Sequence, residues 1–206
     1  LDRNRANAII NAEKKQHDIA ILDDGFQDHS IKKNLNILCF NSRQLIGNGM
    51  TLPSGPLREN LNNLKRAKLI LINGNKNEIF EKKIQKISNK VKVFYSSYLP
   101  INVDEFKEKK IFAFAGIGNP NNFFELLSKN NLVVQKKLTF PDHYQFSKSE
   151  IQKMIDESLE YNLELITTEK DYFRISEHGF KNIKYLKIKL EIFEKDKLIN
   201  EILNHI

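Results

Sequence analysis

The sequence is poor in several features that define large protein classes. It contains a single cysteine, Cys39, so no internal disulfide can form, and a reducing compartment is the simplest expectation. No apolar run approaches the roughly 18 to 20 residues that a bilayer-spanning helix needs. The chain also begins without the basic and apolar regions of a signal peptide. These absences predict a chain with neither a disulfide framework nor a transmembrane helix.

Two sequence patterns of well-known sites are absent as well. Nowhere do the 206 residues contain G-x-x-x-x-G-K-[ST], the loop that holds the β- and γ-phosphates of a nucleotide. The five histidines show no metal-ligand spacing, and one cysteine gives no zinc pattern. A phosphate-binding loop or a zinc site is therefore not predicted within this chain.

The composition is that of a globular protein. Hydrophobic residues make up 40% and charged residues 29% of the chain, with 14 Phe, which excludes a disordered or fibrous class. The length fits one large domain or two small ones. The net charge of +7 is spread over many single lysines. This charge suits nucleic acid, an anionic membrane or a phosphorylated substrate, but a general bias towards Lys and Asn explains it better.

Apolar runs that alternate with helical spacing predict an α/β fold. Near-continuous apolar runs are typical of parallel strands covered on both faces. In the first half they predict strands at 18–22, 35–40, 68–72 and 91–95, with helices at 3–15 and 79–87. In the second half the same pattern predicts strands at 111–115, 132–140, 163–168 and 183–190, with helices at 121–128, 148–159, after Glu169 and at 195–203.

A polar stretch at 96–110 separates the two halves. Because the strand-helix pattern restarts after it, we expect two α/β domains, 1–98 and 99–206. The last strand and helix could return to the first domain. No internal repeat is visible in the sequence.

Two adjacent carboxylates, Asp23 and Asp24, follow the predicted strand at 18–22. Ligands of parallel sheets collect at the carboxyl ends of strands, and Mg²⁺ held by carboxylates and phosphates is a common occupant. The alternative is a simple turn, in which Asp side chains bond backbone amides and Gly25 takes a positive φ. The motif alone favours the turn.

A Gly- and Pro-rich loop at 47–60 is too long for a tight turn, and such loops are often functional. Near its end, Arg58 could bind a phosphate with two hydrogen bonds, and Glu59 could accept hydrogen bonds from hydroxyls. The alternative is a rigid connection in which Arg58 and Glu59 pair with each other in solvent. The spacing does not decide between them.

The segment FPDHYQF places Asp142 and His143 side by side between aromatic residues. His143 could act as an acid, a base or an electrostatic partner. A single histidine in a loop is more often structural or solvated. Both interpretations stay open at this point.

Two further segments have the order strand, turn and helix start. AGIGNP lacks the third glycine of a dinucleotide-binding fingerprint, so it predicts a helix start, with Asn119 a candidate substrate contact. TTEKD, at 167–171, predicts a strand end and a helix cap, with Lys170 a weaker candidate for phosphate.

Six segments, taken in order, resemble the tetraacyldisaccharide 4'-kinases of lipid A biosynthesis, and the resemblance runs nearly from end to end. It implies the remainder of a P-loop-type parallel-sheet domain followed by a second, smaller α/β domain. It also implies transfer of the γ-phosphoryl group of ATP to the 4'-hydroxyl of a tetraacyldisaccharide 1-phosphate, with Mg²⁺, at the cytoplasmic face of the inner membrane. The segments are DDGFQ (23–27), GNG with LPSGPLRE (47–59), NG (73–74), FAGIGNP (114–120), FPDHY (140–144) and TTEKD (167–171).

The resemblance also implies roles for individual residues. Asp23 corresponds to the metal-binding Walker-B carboxylate, and Asp24 to its catalytic partner at the metal and phosphates. His143, with Asp142, corresponds to the histidine that supports the family's catalytic aspartate, which lies in an earlier segment. Residues implied to line the substrate and phosphate region are Gln27, Arg58 and Glu59, and Arg5 matches an arginine in the helix before the Walker-B strand.

The chain departs from the family pattern in two respects. Asp28 replaces the histidine of DDGxQH, so it is open whether His29 takes that role. The chain resembles only the C-terminal two-thirds of such a kinase, so we expect it to be inactive alone, with membrane contact mainly through the missing N-terminal segment.

Two other functions are alternatives to the kinase. One is a non-catalytic remnant of the same fold. The other is a basic nucleic-acid-binding protein, which the charge of +7 alone supports, without an RNA-binding motif or an arginine stripe. We therefore expect a lipid A disaccharide precursor as the partner and no nucleic acid.

Overall fold

The computed structural model describes residues 4–205. The chain divides into two compact units, the first of Leu1–Ser97 with Glu191–Ile206 and the second of Tyr98–Leu190. Each unit contains a four-stranded sheet accompanied by helices. The predicted α/β class with parallel sheets is confirmed.

The elements follow one another in an order close to the predicted one. Up to the division between the units they are α1 (Arg5–Lys14), β1 (Ile37–Asn41), a 3₁₀ helix (Leu61–Arg66), β2 (Leu69–Asn73), α2 (Glu78–Ile87) and β3 (Lys92–Pro100). Then come a second 3₁₀ helix (Val103–Phe106), β4 (Lys110–Ala115), α3 (Pro120–Lys129), β5 (Val133–Thr139), α4 (Lys148–Glu160), β6 (Glu164–Thr168), α5 (Glu169–Ser176), β7 (Lys184–Leu186), β8 (Ile188–Ile192) and α6 (Lys195–Leu203). The chain passes from one unit to the other within β3 and again within β8.

The sheet of the first unit has the strand order β1-β2-β3-β8, with β1, β2 and β3 parallel. Helix α2 begins after Asn77, whose side chain accepts a hydrogen bond from the Phe80 amide at 2.9 Å. Phe80 and Ile84 lie one turn apart and therefore face the sheet together. The main core of this unit consists of Leu64, Ile70, Ile72, Phe80, Ile84 and Val91, and a smaller cluster consists of Leu69, Phe94 and Leu198.

The sheet of the second unit has the order β5-β4-β6-β7, and all its pairings are parallel. Central strand β4 is buried on both faces, because successive side chains alternate between two cores. Ile111, Ala113 and Ala115 pack in the core that includes α3 residues, while Phe112 and Phe114 pack in the core that includes α4 and α5 residues. This double coverage explains the continuous apolar run in the sequence.

Two predictions about local structure are wrong. The segment 18–22 is not a strand: no described strand pairs with it, and Ile19 and Ile21 are 57% and 91% exposed. The stretch 96–110 is not a simple connection, since β3 continues to Pro100 and a 3₁₀ helix follows, with Phe106 fully buried.

The predicted strand at 183–190 is divided into β7 and β8 at Lys187. The backbone groups of Lys187 form other hydrogen bonds: its amide donates to the Asn102 side chain at 2.8 Å, and its carbonyl accepts from the Ile101 amide at 3.0 Å. Among the helices of residues 4–205, α4 with its 13 residues is the longest, and none has the length and apolar character to cross a bilayer.

Candidate functional site

The acidic pair of the first unit lies in a turn at the end of an irregular segment. Asp24 adopts a left-handed conformation with φ of +52°, which Asp tolerates better than most residues. Gly25 does not have the positive φ expected of it. Its role is close packing instead, because a Cβ at this position would lie 2.7 Å from Cβ of Leu22.

An ion pair between Asp24 and Arg58 joins two of the segments identified in the sequence. The partners are 34 residues apart in the chain, and both side chains are 59% exposed. Exposed ion pairs contribute roughly 0 to 1 kcal/mol to stability. The pair therefore stabilises the fold little, but it brings DDGFQ and LPSGPLRE into contact.

Asp23 is held through its backbone, which leaves its carboxylate exposed. The Asp23 carbonyl accepts a hydrogen bond from Arg5 of α1 at 3.1 Å, and the same guanidinium contacts the Asp28 carboxylate at 3.2 Å. No side chain in residues 4–205 pairs with the Asp23 carboxylate. Asp23 is also an exposed residue, so within the described part of the chain its carboxylate is accessible to a cation or a ligand.

Asp28 organises the backbone after the turn. It accepts hydrogen bonds from the Ser30 hydroxyl and from the Ser30 amide at 2.9 Å, and these bonds, with the one from Arg5, lower the pKa of the Asp28 carboxyl to about 2. Lys33 donates to the carbonyls of Gly25 and Asp28. The aspartate that departs from the family pattern thus has a structural role in this loop.

Glu59 and its neighbours form a second set of charged contacts. The carboxylate pairs with Arg66 and accepts from Asn63 at 2.7 Å, so Glu59 does not pair with Arg58, as the rigid-connection alternative required. Arg66 also lies over the Phe26 ring at 4.3 Å and within 3.1 Å of the His29 ring nitrogens. His29 is therefore bound beside Arg66 and Phe26.

A cleft of about 300 Å³ opens beside these residues. Its polar lining includes Gln27, Arg58 and Glu59, for which the family resemblance implies a place in the substrate region. Cys39 of β1 lines the same cleft, and partial burial raises the pKa of its thiol. The apolar lining consists of Phe26, Leu38, Phe40, Leu45, Pro56, Leu57, Leu61 and Leu64. Polar groups beside an apolar surface are typical of small-molecule sites.

In the second unit, a buried carboxylate joins the segments FAGIGNP and TTEKD. Asp171 is fully buried and accepts hydrogen bonds from the Gly116 amide at 2.9 Å and the Thr168 hydroxyl at 2.8 Å. Thr168 is the N-cap of α5 and accepts from the Asp171 amide at 3.1 Å, as the predicted helix cap requires. Arg174, one turn later on α5, forms an ion pair with Asp171 at 3.0 Å.

The same arginine reaches the FPDHY segment. One guanidinium nitrogen of Arg174 donates to the Gly116 carbonyl at 3.1 Å, and the other lies 3.1 Å from Nδ1 of His143. The His143 side chain is 70% exposed and has its Nε2 3.9 Å from the Asp142 carboxylate. Three sequence segments therefore meet at one polar cluster, which consists of Gly116, Asp142, His143, Thr168, Asp171 and Arg174.

Aromatic rings pack between the His143 loop and strand β4. The rings of Phe140 and Tyr144, which flank the pair of polar residues, have centroids 4.9 Å apart and both contact Phe146. Phe146 in turn contacts Phe114 of β4 at 5.6 Å. His143 itself has a left-handed φ of +58°, and its amide donates to the Asp142 carboxylate at 3.0 Å. Buried and half-buried aromatic rings thus pack against the loop that presents an exposed histidine.

The remaining candidates lie near Asp142. Asn119 is the exposed N-cap of α3, and its side chain makes no capping hydrogen bond. At the preceding residue, Gly118, a Cβ would lie 3.2 Å from the Asp142 carboxylate. Lys170 lies 3.9 Å from the other Asp142 oxygen. The turn AGIGNP therefore lies against the FPDHY loop.

The sequence interpretation missed Arg66, Asp171 and Arg174 as contributors to these clusters. Asp171 and Arg174 are three residues apart, a spacing that places an acid and a base on one helix face, and this signal was available. Arg66 offered no comparable signal, because its partners Glu59 and Phe26 depend on the folding of long loops.

Comparisons with known proteins give one family. A family model described as "Tetraacyldisaccharide-1-P 4'-kinase" (LpxK) matches residues 1–206. The chain is 41% identical over 202 residues to the tetraacyldisaccharide 4'-kinase of Pelagibacter ubique, covering 97% of this chain and 64% of that protein. It is 33% identical over 174 residues to that of Parvibaculum lavamentivorans, covering 84% of this chain and 51% of that protein. The chain thus spans less than two thirds of the length of these relatives.

A solved structure is similar as well. The LpxK of Aquifex aeolicus, crystallised in complex with ATP, superposes with a TM-score of 0.65 at 25% sequence identity. The match covers 95% of this chain and 60% of that one. Fold and sequence comparisons therefore agree.

Proposed function

The chain belongs to the tetraacyldisaccharide 4'-kinase family, and from this premise we propose that it forms part of a lipid A kinase. The proposed reaction transfers the γ-phosphoryl group of ATP to the 4'-hydroxyl of a tetraacyldisaccharide 1-phosphate. Direct in-line transfer needs no covalent enzyme intermediate, so catalysis rests on positioning and on charge stabilisation.

The contact between Asp24 and Arg58 is the observation that carries this proposal. It brings an acidic turn suited to a metal-bound phosphate beside a guanidinium suited to phosphate oxygens. The exposed ion pair with Asp24 places the Arg58 guanidinium beside the turn. We assign both residues to the phosphate region, with Asp24 in the catalytic group.

We assign Asp23 to Mg²⁺. Its exposed carboxylate without a side-chain partner in the described residues fits a metal ligand, and Mg²⁺ sites commonly use one or two carboxylates completed by substrate phosphates and water. Among the described residues, no group of three or more His, Cys, Asp or Glu side chains could hold a metal ion by itself. When bound, Mg²⁺ neutralises charge on the phosphoryl oxygens.

The disaccharide is assigned to polar side chains of the cleft and of the second unit. Gln27 and Glu59 line the cleft and offer amide and carboxylate groups to sugar hydroxyls. Asn119 of the second unit, whose side chain makes no capping hydrogen bond, is assigned to substrate binding. His143 and Asp142 are assigned to catalysis, where His143 supports a carboxylate that accepts the hydroxyl proton.

Two further features complete the proposal. The loop G-x-x-x-x-G-K-[ST] does not occur in these 206 residues, so we propose that turnover requires a segment outside them and that this chain alone forms no product. Because the substrate is a membrane lipid, we also propose that the enzyme works peripherally, at the cytoplasmic face of the inner membrane.

The experiment uses the complete polypeptide encoded by the gene that carries this sequence. Phosphorylation of a tetraacyldisaccharide 1-phosphate by ATP and Mg²⁺ would be measured for the unmodified protein, Asp23→Asn and Arg58→Ala. We expect product from the unmodified protein and losses of kcat/KM on the order of 100-fold or more in both variants, since each removes charge stabilisation in the transition state.

Asp18→Asn is the matched control for Asp23→Asn. Asp18 is exposed, lies five residues earlier in the same irregular segment and has no assigned role. Its kcat/KM should stay near that of the unmodified protein. Unchanged rates in Asp23→Asn would refute the metal assignment, and absence of product from the unmodified protein would refute the proposed function.

A further inference from the structure

Arg174 lies where three loops of the second unit meet. Its guanidinium donates to the Gly116 carbonyl, to the Asp171 carboxylate and to the His143 ring, at distances of 3.0 to 3.1 Å. Only 19% of its side chain is exposed, compared with 70% for His143. The guanidinium of Arg174 is therefore largely buried and contacts an exposed histidine on the side that faces away from solvent.

The position of Arg174 is fixed by Asp171. This carboxylate is fully buried, and its oxygens accept from the Gly116 amide, the Thr168 hydroxyl and Arg174. Charge-assisted hydrogen bonds of this kind are stronger than neutral ones, and a buried carboxylate with every contact satisfied holds its partners rigidly. If the Arg174 side chain moved into solvent, the buried charge of Asp171 would be left unpaired, so Arg174 is held in place.

The contact with Arg174 determines how the His143 ring is protonated when it is neutral. A guanidinium has donors and no acceptor, so Nδ1 of His143 must accept. The single proton of the neutral ring then resides on Nε2, the nitrogen 3.9 Å from the Asp142 carboxylate. Nε2–H is thus the donor that the ring can offer to another group.

We propose that Arg174 is a positioning residue that, held by Asp171, sets the tautomer and the orientation of His143 so that Nε2–H is its donor. The catalytic part of this inference rests on the proposed function of His143. The tautomer itself follows from the contacts and does not depend on the reaction.

The first test measures the tautomer directly. The complete polypeptide would be labelled with ¹⁵N-histidine, and long-range ¹H–¹⁵N spectra recorded at alkaline pH, with the His143 signals assigned through His143→Gln. We expect the Nε2–H pattern in the unmodified protein and a mixture of tautomers in Arg174→Lys. An ammonium can keep the ion pair with Asp171, but it is a compact charge that cannot also span the distance to the histidine.

Lys181→Ala is the control for unspecific effects of a substitution in this region, because Lys181 is exposed and lies five residues after the end of α5. Its tautomer pattern should match that of the unmodified protein. A retained, pure Nε2–H pattern in Arg174→Lys would overturn the proposal, as would a different tautomer in the unmodified protein.

The second test separates positioning from stability. Arg174→Lys should lower kcat by about 100-fold, the typical cost of misplacing a catalytic group, with KM for ATP within about twofold of the original. Its unfolding midpoint should stay near that of the unmodified protein, whereas Arg174→Ala should lower it. A shifted tautomer with unchanged kcat would overturn the catalytic part alone. No activity in the unmodified protein would overturn the proposed function and leave the tautomer result standing.

Discussion

The site residues of the two units are held in place by different kinds of interaction. In the first unit, Asp24 and Arg58 form an exposed ion pair on irregular backbone. In the second unit, Asp171 and Arg174 form a buried ion pair behind an exposed histidine, and aromatic rings pack below that loop. Solvent screens the first arrangement and is excluded from much of the second.

This difference suggests how each cluster meets a ligand. Elements with few buried contacts open at low free-energy cost, and ligand-binding loops are often drawn from them. The turn with Asp23 and Asp24 has this character, because both residues are exposed and lie outside any helix or strand. The loop with His143 is instead preorganised. We therefore expect ligands to reorder the turn with Asp23 and Asp24 more than the loop with His143.

The largest expected effect comes from removing the aromatic support in the second unit. Phe146→Ala deletes a buried ring that contacts Phe114, Phe140 and Tyr144, and such substitutions cost about 3 to 5 kcal/mol. Hydrogen exchange of peptides from β4 and β6 should show the loss. Phe173→Ala, at a ring that is 59% exposed, is the control and should cost about 1 kcal/mol or less. Equal losses would mean that the loop does not depend on the buried cluster.

The next largest effect comes from replacing the aspartate of the buried ion pair by asparagine. Asp171→Asn leaves the largely buried Arg174 without its counter-charge, and we expect destabilisation of about 3 kcal/mol. Urea unfolding, followed by a signal from the second unit, measures it. A loss below about 1 kcal/mol would contradict the distinction between buried and exposed pairs.

At the exposed pair the corresponding change should barely affect stability. Asp24→Asn should cost less than about 1 kcal/mol, and the cost should shrink further in high salt because the pair is screened. The same urea experiment at low and high salt tests this. If Asp24→Asn lowers the free energy of unfolding as much as Asp171→Asn, the ion pair of Asp24 and Arg58 is not weakened by solvent screening.

The smallest effect concerns pH, where the two units should behave alike. Hydrogen bonds lower the pKa of Asp28 to about 2, mainly from Ser30, and the pKa of Glu150 to about 2, mainly from Ser147. Each group therefore contributes stability above its ordinary pKa near 4, and that contribution is lost as pH falls towards 2. Carboxyl NMR titration measures both values. Ser30→Ala should raise the pKa of Asp28 and leave that of Glu150 unchanged; a pKa of Asp28 that stays near 2 would contradict the assignment.

Much of the fold could be predicted from the sequence because local patterns decide it. The buried run of β4, the capped helix after Thr168 and the helix from Lys195 all follow from periodicity and capping residues. The same patterns could not decide whether the apolar run at 18–22 forms a strand. An apolar run becomes a strand only where another strand supplies hydrogen-bond partners, and the sequence of the run does not state whether one does.

The site was predictable only in part for a similar reason. The pairing of Asp24 with Arg58 and of Glu59 with Arg66 depends on how loops fold across more than one element. Spacing could identify the acidic and basic residues but not their partners. The turn shows the same limit, since the left-handed residue proved to be Asp24 and the close-packed one Gly25.

The single cysteine of these 206 residues gives the first unit a built-in reporter. Cys39 lines the cleft of the first unit, and the chain has no other thiol. Within these 206 residues, a maleimide fluorophore would therefore attach at one defined place. Because the raised pKa lowers the fraction of reactive thiolate, labelling should accelerate as the buffer becomes more alkaline. Protection of this thiol by added nucleotide or glycolipid would report occupancy in a binding titration that needs no turnover.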